Sequence, residues 1–148
     1  MNVIGTIAVV VITSLYYFPF NCSLFPSVNT KLILASIGLL LFAFNSSMRR
    51  NAEVGDTFAK VSAWAALVSF VGLVSVLVND SGDYTYAGYI ISAWVWMGGA
   101  YTVIRCIEAV YGKVTLRLFT NILLLVCVCK SILSQIINVN ASVAGWVD

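Results

Sequence analysis

The chain has 148 residues, of which 61% are hydrophobic and 9% charged, with a net charge of +2 and no histidine. Soluble domains carry about 25% charged residues, so this composition excludes an ordinary water-soluble domain. The small net charge, without a cluster of basic and aromatic residues, gives no argument for a nucleic-acid partner, and we expect none.

The first apolar run covers residues 2–20 and ends in Tyr16, Tyr17, Phe18 and Phe20. No basic segment precedes it, and no clear cleavage site of small residues follows it. A retained helix is therefore favoured over the alternative, a cleaved signal peptide. Its aromatic end is typical of a membrane–water interface.

Four further apolar runs cover residues 31–45, 61–78, 89–104 and about 116–139. About 20 apolar residues are needed to cross roughly 30 Å of hydrocarbon as a helix, and the run 31–45 is short for a span. Transmembrane strands would show shorter, alternating segments. The runs predict an all-α, polytopic transmembrane helix bundle of about five spans in a single domain.

Lysine and arginine alternate between the loops, and their excess marks the cytoplasmic side. The loops after the first and third runs hold only Lys31. The loops after the second and fourth runs, with their edges, hold the other basic loop residues: Arg49, Arg50, Lys60, Arg105, Lys113 and Arg117. This asymmetry predicts a cytoplasmic N-terminus and an external C-terminus.

Lys130 is the only charged residue well inside an apolar run, and the same helix contains the polar residues Asn121 and Gln135. An ionisable residue at membrane depth is a candidate functional residue. In one interpretation the Lys130 side chain extends to the interface. In the other it contacts a buried partner or an anionic lipid headgroup.

Asp80 and Asp83 lie in an external turn-rich loop, near Tyr84, Tyr86 and Tyr89. Two carboxylates can act as a general acid and base, or bind a cation. Asp-Ser-Gly-Asp is also ordinary turn composition, and the tyrosines suit an aromatic belt, so a turn is favoured.

The sequence contains no recognisable active site of its own and predicts no metal site and no cofactor. The four cysteines, Cys22, Cys106, Cys127 and Cys129, have no metal-binding pattern and are interpreted as packing residues. Without a nucleophile beside a base, or a phosphate loop, the chain is not predicted to be a self-contained enzyme.

Small residues follow the spacing of one helix face at Ala65, Ser69 and Gly72, which predicts close helix packing. Gly88 with Ser92, and the pair Gly98–Gly99, predict the same for the fourth run. Glu108 follows Arg105 by three residues, the spacing of an ion pair on a helical extension.

Two stretches together resemble the N-terminal portion of bacterial O-antigen polymerase and ligase-like membrane proteins. One is YYFPFNCSLFPSVNTKLILASIGLLLF at 16–42, and the other is DYTYAGYIISAWVWMGGAYTVIRCI at 83–107. The resemblance covers residues 10–148, and FPSVNT-x-LILA-x-IGL is its most distinctive part.

The resemblance implies an all-helical protein of the bacterial inner membrane that helps assemble surface polysaccharide. Members of the family join glycans carried on an undecaprenyl-type lipid to a lipid-linked acceptor. Their functional arginines, and the histidine of the ligases, belong to a large external loop that this chain does not match. We therefore expect a fragment, or a non-catalytic accessory protein, similar to the first half of such a protein.

The expected partners are membrane lipid, an undecaprenyl-linked glycan, which the resemblance implies, and a second membrane segment or another copy of the chain. The alternative function is a small oligomeric transporter or channel subunit with Lys130, Asp80 and Asp83 along its path. A weaker alternative is a holin-like lysis protein.

Overall fold

The computed structural model describes residues 3–22, 25–44 and 52–139, which form five α-helices and one short β-hairpin. The helical bundle predicted from the sequence is confirmed at this level. In chain order the elements are α1 (Val3–Tyr17), β1 (Asn21–Cys22), β2 (Phe25–Asn29), α2 (Thr30–Phe44), α3 (Ala52–Asn79), α4 (Tyr89–Tyr111) and α5 (Leu116–Val139).

Three of the five helices are long and apolar enough to cross a membrane. The qualifying segments are Gly55–Asn79, Tyr89–Tyr111 and Leu116–Ile136. Helices α1 and α2 have 15 residues each. At 1.5 Å per residue that is about 22 Å, against roughly 30 Å of hydrocarbon. The described residues therefore contain three apolar helices of spanning length and two shorter apolar helices.

The segment between α1 and α2 forms an antiparallel hairpin that the sequence did not predict. Asn21 pairs with Asn29, and the Thr30 N–H donates to the carbonyl of Phe20 at 3.0 Å. The Asn29 side chain then caps α2 by accepting a hydrogen bond from the N–H of Leu32 at 2.9 Å. The hairpin therefore fixes the position at which α2 begins.

Two helix boundaries differ from the apolar runs because polar residues continue the helix outside the apolar stretch. Helix α3 begins at Ala52, and α4 continues to Tyr111, where Gly112 ends it at a φ of 76°. The predicted ion pair between Arg105 and Glu108 forms on this extension. Arg49 and Arg50 lie outside the described residues.

Helix α4 lies at the centre of the bundle. Helices α1, α2 and α3 all pack against it, and α5 packs against α1. A buried cluster holds α1, α4 and α5 together: Val9, Tyr16, Val103, Ile107 and Ile122.

The contacts between helices show the directions of α1 and α3 relative to α4. Thr6 at the start of α1 contacts Tyr111 at the end of α4, whereas Tyr16 contacts Trp96 nearer the start of α4. Ser62 and Ser69 of α3 contact Trp94 and the N–H of Ile90 in the same reversed order. Helices α1 and α3 are therefore antiparallel to α4.

Several of the small residues allow helices of the same chain to approach each other closely. A Cβ added to Gly38 would lie 1.8 Å from the carbonyl oxygen of Gly98, and one added to Gly99 would lie 2.2 Å from the Tyr16 ring. Ala65 is buried, and the Ser69 hydroxyl accepts a hydrogen bond from the Ile90 N–H at 2.9 Å. The close packing predicted for Ala65, Ser69 and Gly98–Gly99 is thus present in contacts of α3 and α4. Gly88 precedes α4, and a Cβ added there would meet nothing closer than 3.8 Å.

Candidate functional site

The candidate site is built around the aromatic end of α1. Tyr16 is buried, and its hydroxyl donates a hydrogen bond to the Trp96 carbonyl oxygen at 2.8 Å. Its ring makes edge contacts with Tyr17, at 4.9 Å between centroids, and with Trp96, at 6.0 Å. This end of α1 is therefore held firmly against α4.

Lys31, the second residue of α2, lies on this aromatic surface. Its Nζ is 3.3 Å from the centroid of the Trp96 indole and 5.9 Å from that of the Tyr16 ring. Neighbouring Thr30 fixes the helix start, since its hydroxyl donates to the Leu15 carbonyl at 2.9 Å and accepts from the Phe20 N–H at 3.1 Å. An ammonium over an indole face is a cation–π contact, for which tryptophan is the best partner.

Lys130 of α5 reaches the same end of α1. Its Nζ lies 4.5 Å from the ring centroid of Phe20 and 5.3 Å from that of Phe18. The side chain is half-buried. Lys130 thus has aromatic partners, and both lysines contact the five-residue segment 16–20.

Neither lysine is paired with a carboxylate among the residues that the structure describes. The ion pairs in those residues are Lys60 with Asp56, at 2.6 Å, and Arg105 with Glu108. An ammonium has three N–H donors, and a neutral ring face does not neutralise its charge. Two positive charges with unused N–H donors therefore contact one aromatic segment.

Asp80 and Asp83 form a turn in the loop that follows α3. The Asp83 carboxylate accepts a hydrogen bond from the Thr85 N–H at 3.0 Å and another from the Thr85 hydroxyl. These hydrogen bonds hold the pKa of Asp83 below its usual value. Asp80 has a φ of 48°, the left-handed conformation that aspartate tolerates in turns.

Asp83 and Lys130 form no ion pair with each other among the residues that the structure describes. Asp83 borders a cavity of about 570 Å³ beside α3, which Ser75, Ser81 and Tyr86 also line, whereas Lys130 contacts the end of α1. The transporter alternative, which requires these groups along one path, stays a prediction.

A second cavity of about 380 Å³ lies between α2, α3 and α4 and has an aromatic lining. Phe42 stacks on Phe58 at 4.6 Å and meets Tyr101 edge-on at 5.5 Å. No carboxylate or ammonium is among its lining residues, so the cavity offers apolar contacts rather than acid–base chemistry.

No group of three histidine, cysteine or acidic residues in the described part of the chain is arranged to hold a metal ion. Within the same residues, Cys106, Cys127 and Cys129 are free thiols.

Sequence reasoning singled out Lys130 but missed Lys31, which it used only for the orientation. Trp96 is 65 positions away from Lys31 in the chain, so no local pattern could show that an indole supports this lysine. The available signal was that Lys31 is the only basic residue in the loops after the first and third runs.

The chain matches no protein-family model, no curated protein and no solved structure. A function therefore has to be argued from the site geometry and the sequence pattern.

Proposed function

We propose that this chain is a multi-pass protein of the bacterial inner membrane that binds the phosphate headgroup of a lipid carrier through Lys31 and Lys130. The observation that carries the proposal is the pair of lysines, both supported by aromatic rings at one end of α1 and neither paired with a carboxylate among the described residues.

Phosphate is the ligand that best fits two such ammonium groups. Lysine binds phosphate as a point charge through charge-assisted hydrogen bonds. Near a membrane interface the effective dielectric constant is below that of water, which strengthens attraction between ammonium and phosphate. The exposed rings of Phe18 and Phe20 would contact the first apolar carbons of the same lipid.

The resemblance to O-antigen polymerases adds the biological role to this proposal. A carrier of the undecaprenyl phosphate type supplies both the phosphate and a long apolar chain. We place the protein in the assembly of lipid-linked surface polysaccharide, as a non-catalytic component that holds the carrier. The proposal includes five membrane-inserted helices with the N-terminus inside, which puts both lysines towards the external face.

Binding of undecaprenyl phosphate to the purified protein in detergent micelles tests the proposal. Tryptophan fluorescence reports binding, because the Trp96 indole lies directly under Lys31. We expect K31Q and K130Q each to weaken binding about tenfold, as expected for loss of one hydrogen bond to a charged group.

The matched control is K113Q, which removes the same charge from an exposed position between α4 and α5. It should bind the lipid like the unaltered protein, and K130R should retain binding. Equal affinity for undecaprenol, which has no phosphate, would contradict the proposal. Full competition by inorganic phosphate alone would assign the site to a free anion instead of a lipid.

A further inference from the structure

Helix α5 has two different faces, and the part of the chain that the structure describes covers one of them. The face towards α1 holds the buried residues Ile122 and Val126. The opposite face is exposed along its length. Its residues recur at alternating intervals of three and four: Asn121, Leu124, Val128, Ser131 and Gln135.

This exposed stripe, 121–135, contains two side-chain amides, those of Asn121 and Gln135. Within the described residues, the amides of Asn121 and Gln135 make no hydrogen bond. In hydrocarbon there is no water to satisfy them, so an unpaired amide on a membrane helix is costly. Asparagine and glutamine accordingly hydrogen-bond across helix interfaces in membranes.

We propose that the 121–135 stripe is the contact surface of a homodimer, in which α5 packs in parallel against α5 of a second copy. Alternating spacings of three and four form a heptad seam, the pattern of left-handed helix pairs. Two copies in one membrane have the same orientation, so each seam position faces the same position of the partner around a twofold axis.

The stripe is complementary to itself in that arrangement. An amide has both donors and an acceptor, so Asn121 can pair with Asn121 of the second copy, and Gln135 likewise with its equivalent. Leu124 and Val128 supply apolar contacts between the two amide pairs. None of the five residues of the stripe is charged, so two copies can approach there without charge repulsion.

Arg117 is the next seam position towards the start of α5 and the one point of like charge. It lies in the first turn of the helix, at an exposed position. Water and salt screen repulsion between exposed charges at a helix end. The arginine pair therefore weakens the dimer slightly without opposing the contact of residues 121–135.

The dimer is independent of the proposed lipid site. Lys130 lies off the seam, and its ammonium contacts Phe18 and Phe20 of α1. Loss of the dimer should therefore leave lipid binding by the monomer intact, and loss of lipid binding should leave the dimer intact.

Disulfide cross-linking in lipid vesicles tests the surface directly. In a variant whose four native cysteines are serine, V128C places a thiol on the seam. L125C places one on the same helix turn but off the seam, and both positions are exposed. We expect oxidation to give a covalent dimer with V128C and much less with L125C. Equal cross-linking of the two variants would overturn the proposed surface.

Energy transfer between labelled copies, measured while the vesicles are diluted with lipid, gives the dissociation constant. We expect N121L/Q135L to raise it about tenfold, because two interhelical amide pairs are lost. The control is S36L on α2, where the exposed hydroxyl already donates to the Leu32 carbonyl of its own helix. An unchanged dissociation constant for N121L/Q135L, or a monomer at every dilution, would overturn the proposed dimer. The partner of this face would then be a different membrane segment.

Discussion

At the scale of single residues, Gly38 sets how closely α2 approaches α4. A Cβ at this position would lie 1.8 Å from the Gly98 carbonyl oxygen and 2.5 Å from the Thr102 hydroxyl oxygen. The first of these is a backbone atom, so relief requires the two helices to separate. The loss of close packing then extends to neighbouring contacts, because packed interiors have little free volume.

We predict that Gly38→Ala lowers the stability of the protein by about 1–3 kcal/mol, the usual range for overpacking. Gly55→Ala is the control, since an added Cβ there meets nothing within 4 Å. In helix α3 that change should stabilise by about 0.5–1 kcal/mol through helix propensity. Thermal unfolding in detergent measures both variants. Equal unfolding temperatures for Gly38→Ala and the parent would contradict the close approach of the two helices.

At the scale of helices, Thr102 connects α4 to α2 by a hydrogen bond between helices. Its hydroxyl donates to the Leu34 carbonyl at 2.7 Å and also lies 3.3 Å from the Gly98 carbonyl of its own helix. Thr13 is equally buried, but its hydroxyl bonds only within α1, to the Val9 carbonyl. The Thr102 hydroxyl therefore bonds between two helices, whereas the Thr13 hydroxyl bonds within one helix, so the two residues can be compared.

We predict that Thr102→Val costs about 0.6–1.7 kcal/mol, between the average and the largest value measured for such bonds in a membrane protein. Thr13→Val should have a smaller effect or slightly stabilise, since back-bonding to the fourth preceding carbonyl mildly disfavours a helix. The measurement is the free energy of unfolding in mixed micelles of detergent and denaturing surfactant. A larger loss for Thr13→Val than for Thr102→Val would contradict the assigned role of Thr102.

Helices with strong apolar patterns were predictable from the sequence, and tertiary features were not. The fifth run gave Leu116–Val139 without error, because its apolar residues extend over the whole helix. The sequence predicts a loop where β1 and β2 form a hairpin. Their strands are short, contain Pro26 and show no clear alternation of apolar and polar residues. Lys31 and Trp96 come together only through the packing of α2 on α4, which no local pattern encodes.

At the scale of the whole molecule, the directions of the helices agree with the distribution of charge. Tyr16 and Lys31 meet Trp96 near one end, and Thr6 meets Tyr111 near the other. Lys130, in the second half of α5, contacts Phe18, which directly follows α1. Helix α5 therefore points the same way as α1. The hairpin and the loop after α3 therefore share one end of the bundle. The junction of α4 and α5, with Lys113 and Arg117, lies at the opposite end.

This arrangement predicts which loops are cytoplasmic. Reporter proteins active on one side of the membrane only, fused after Asn51, Gly82, Gly112 and Asp148, measure the side of each site. We expect the fusions at Asn51 and Gly112 to report the cytoplasm and the other two the external face, because lysine and arginine concentrate around the first pair. As a control, replacing Lys113 and Arg117 with glutamine should weaken the preference for the cytoplasmic side at Gly112 alone. Fusions at Gly82 and Gly112 on the same side would contradict the orientation, since α4 separates these positions by a helix of spanning length.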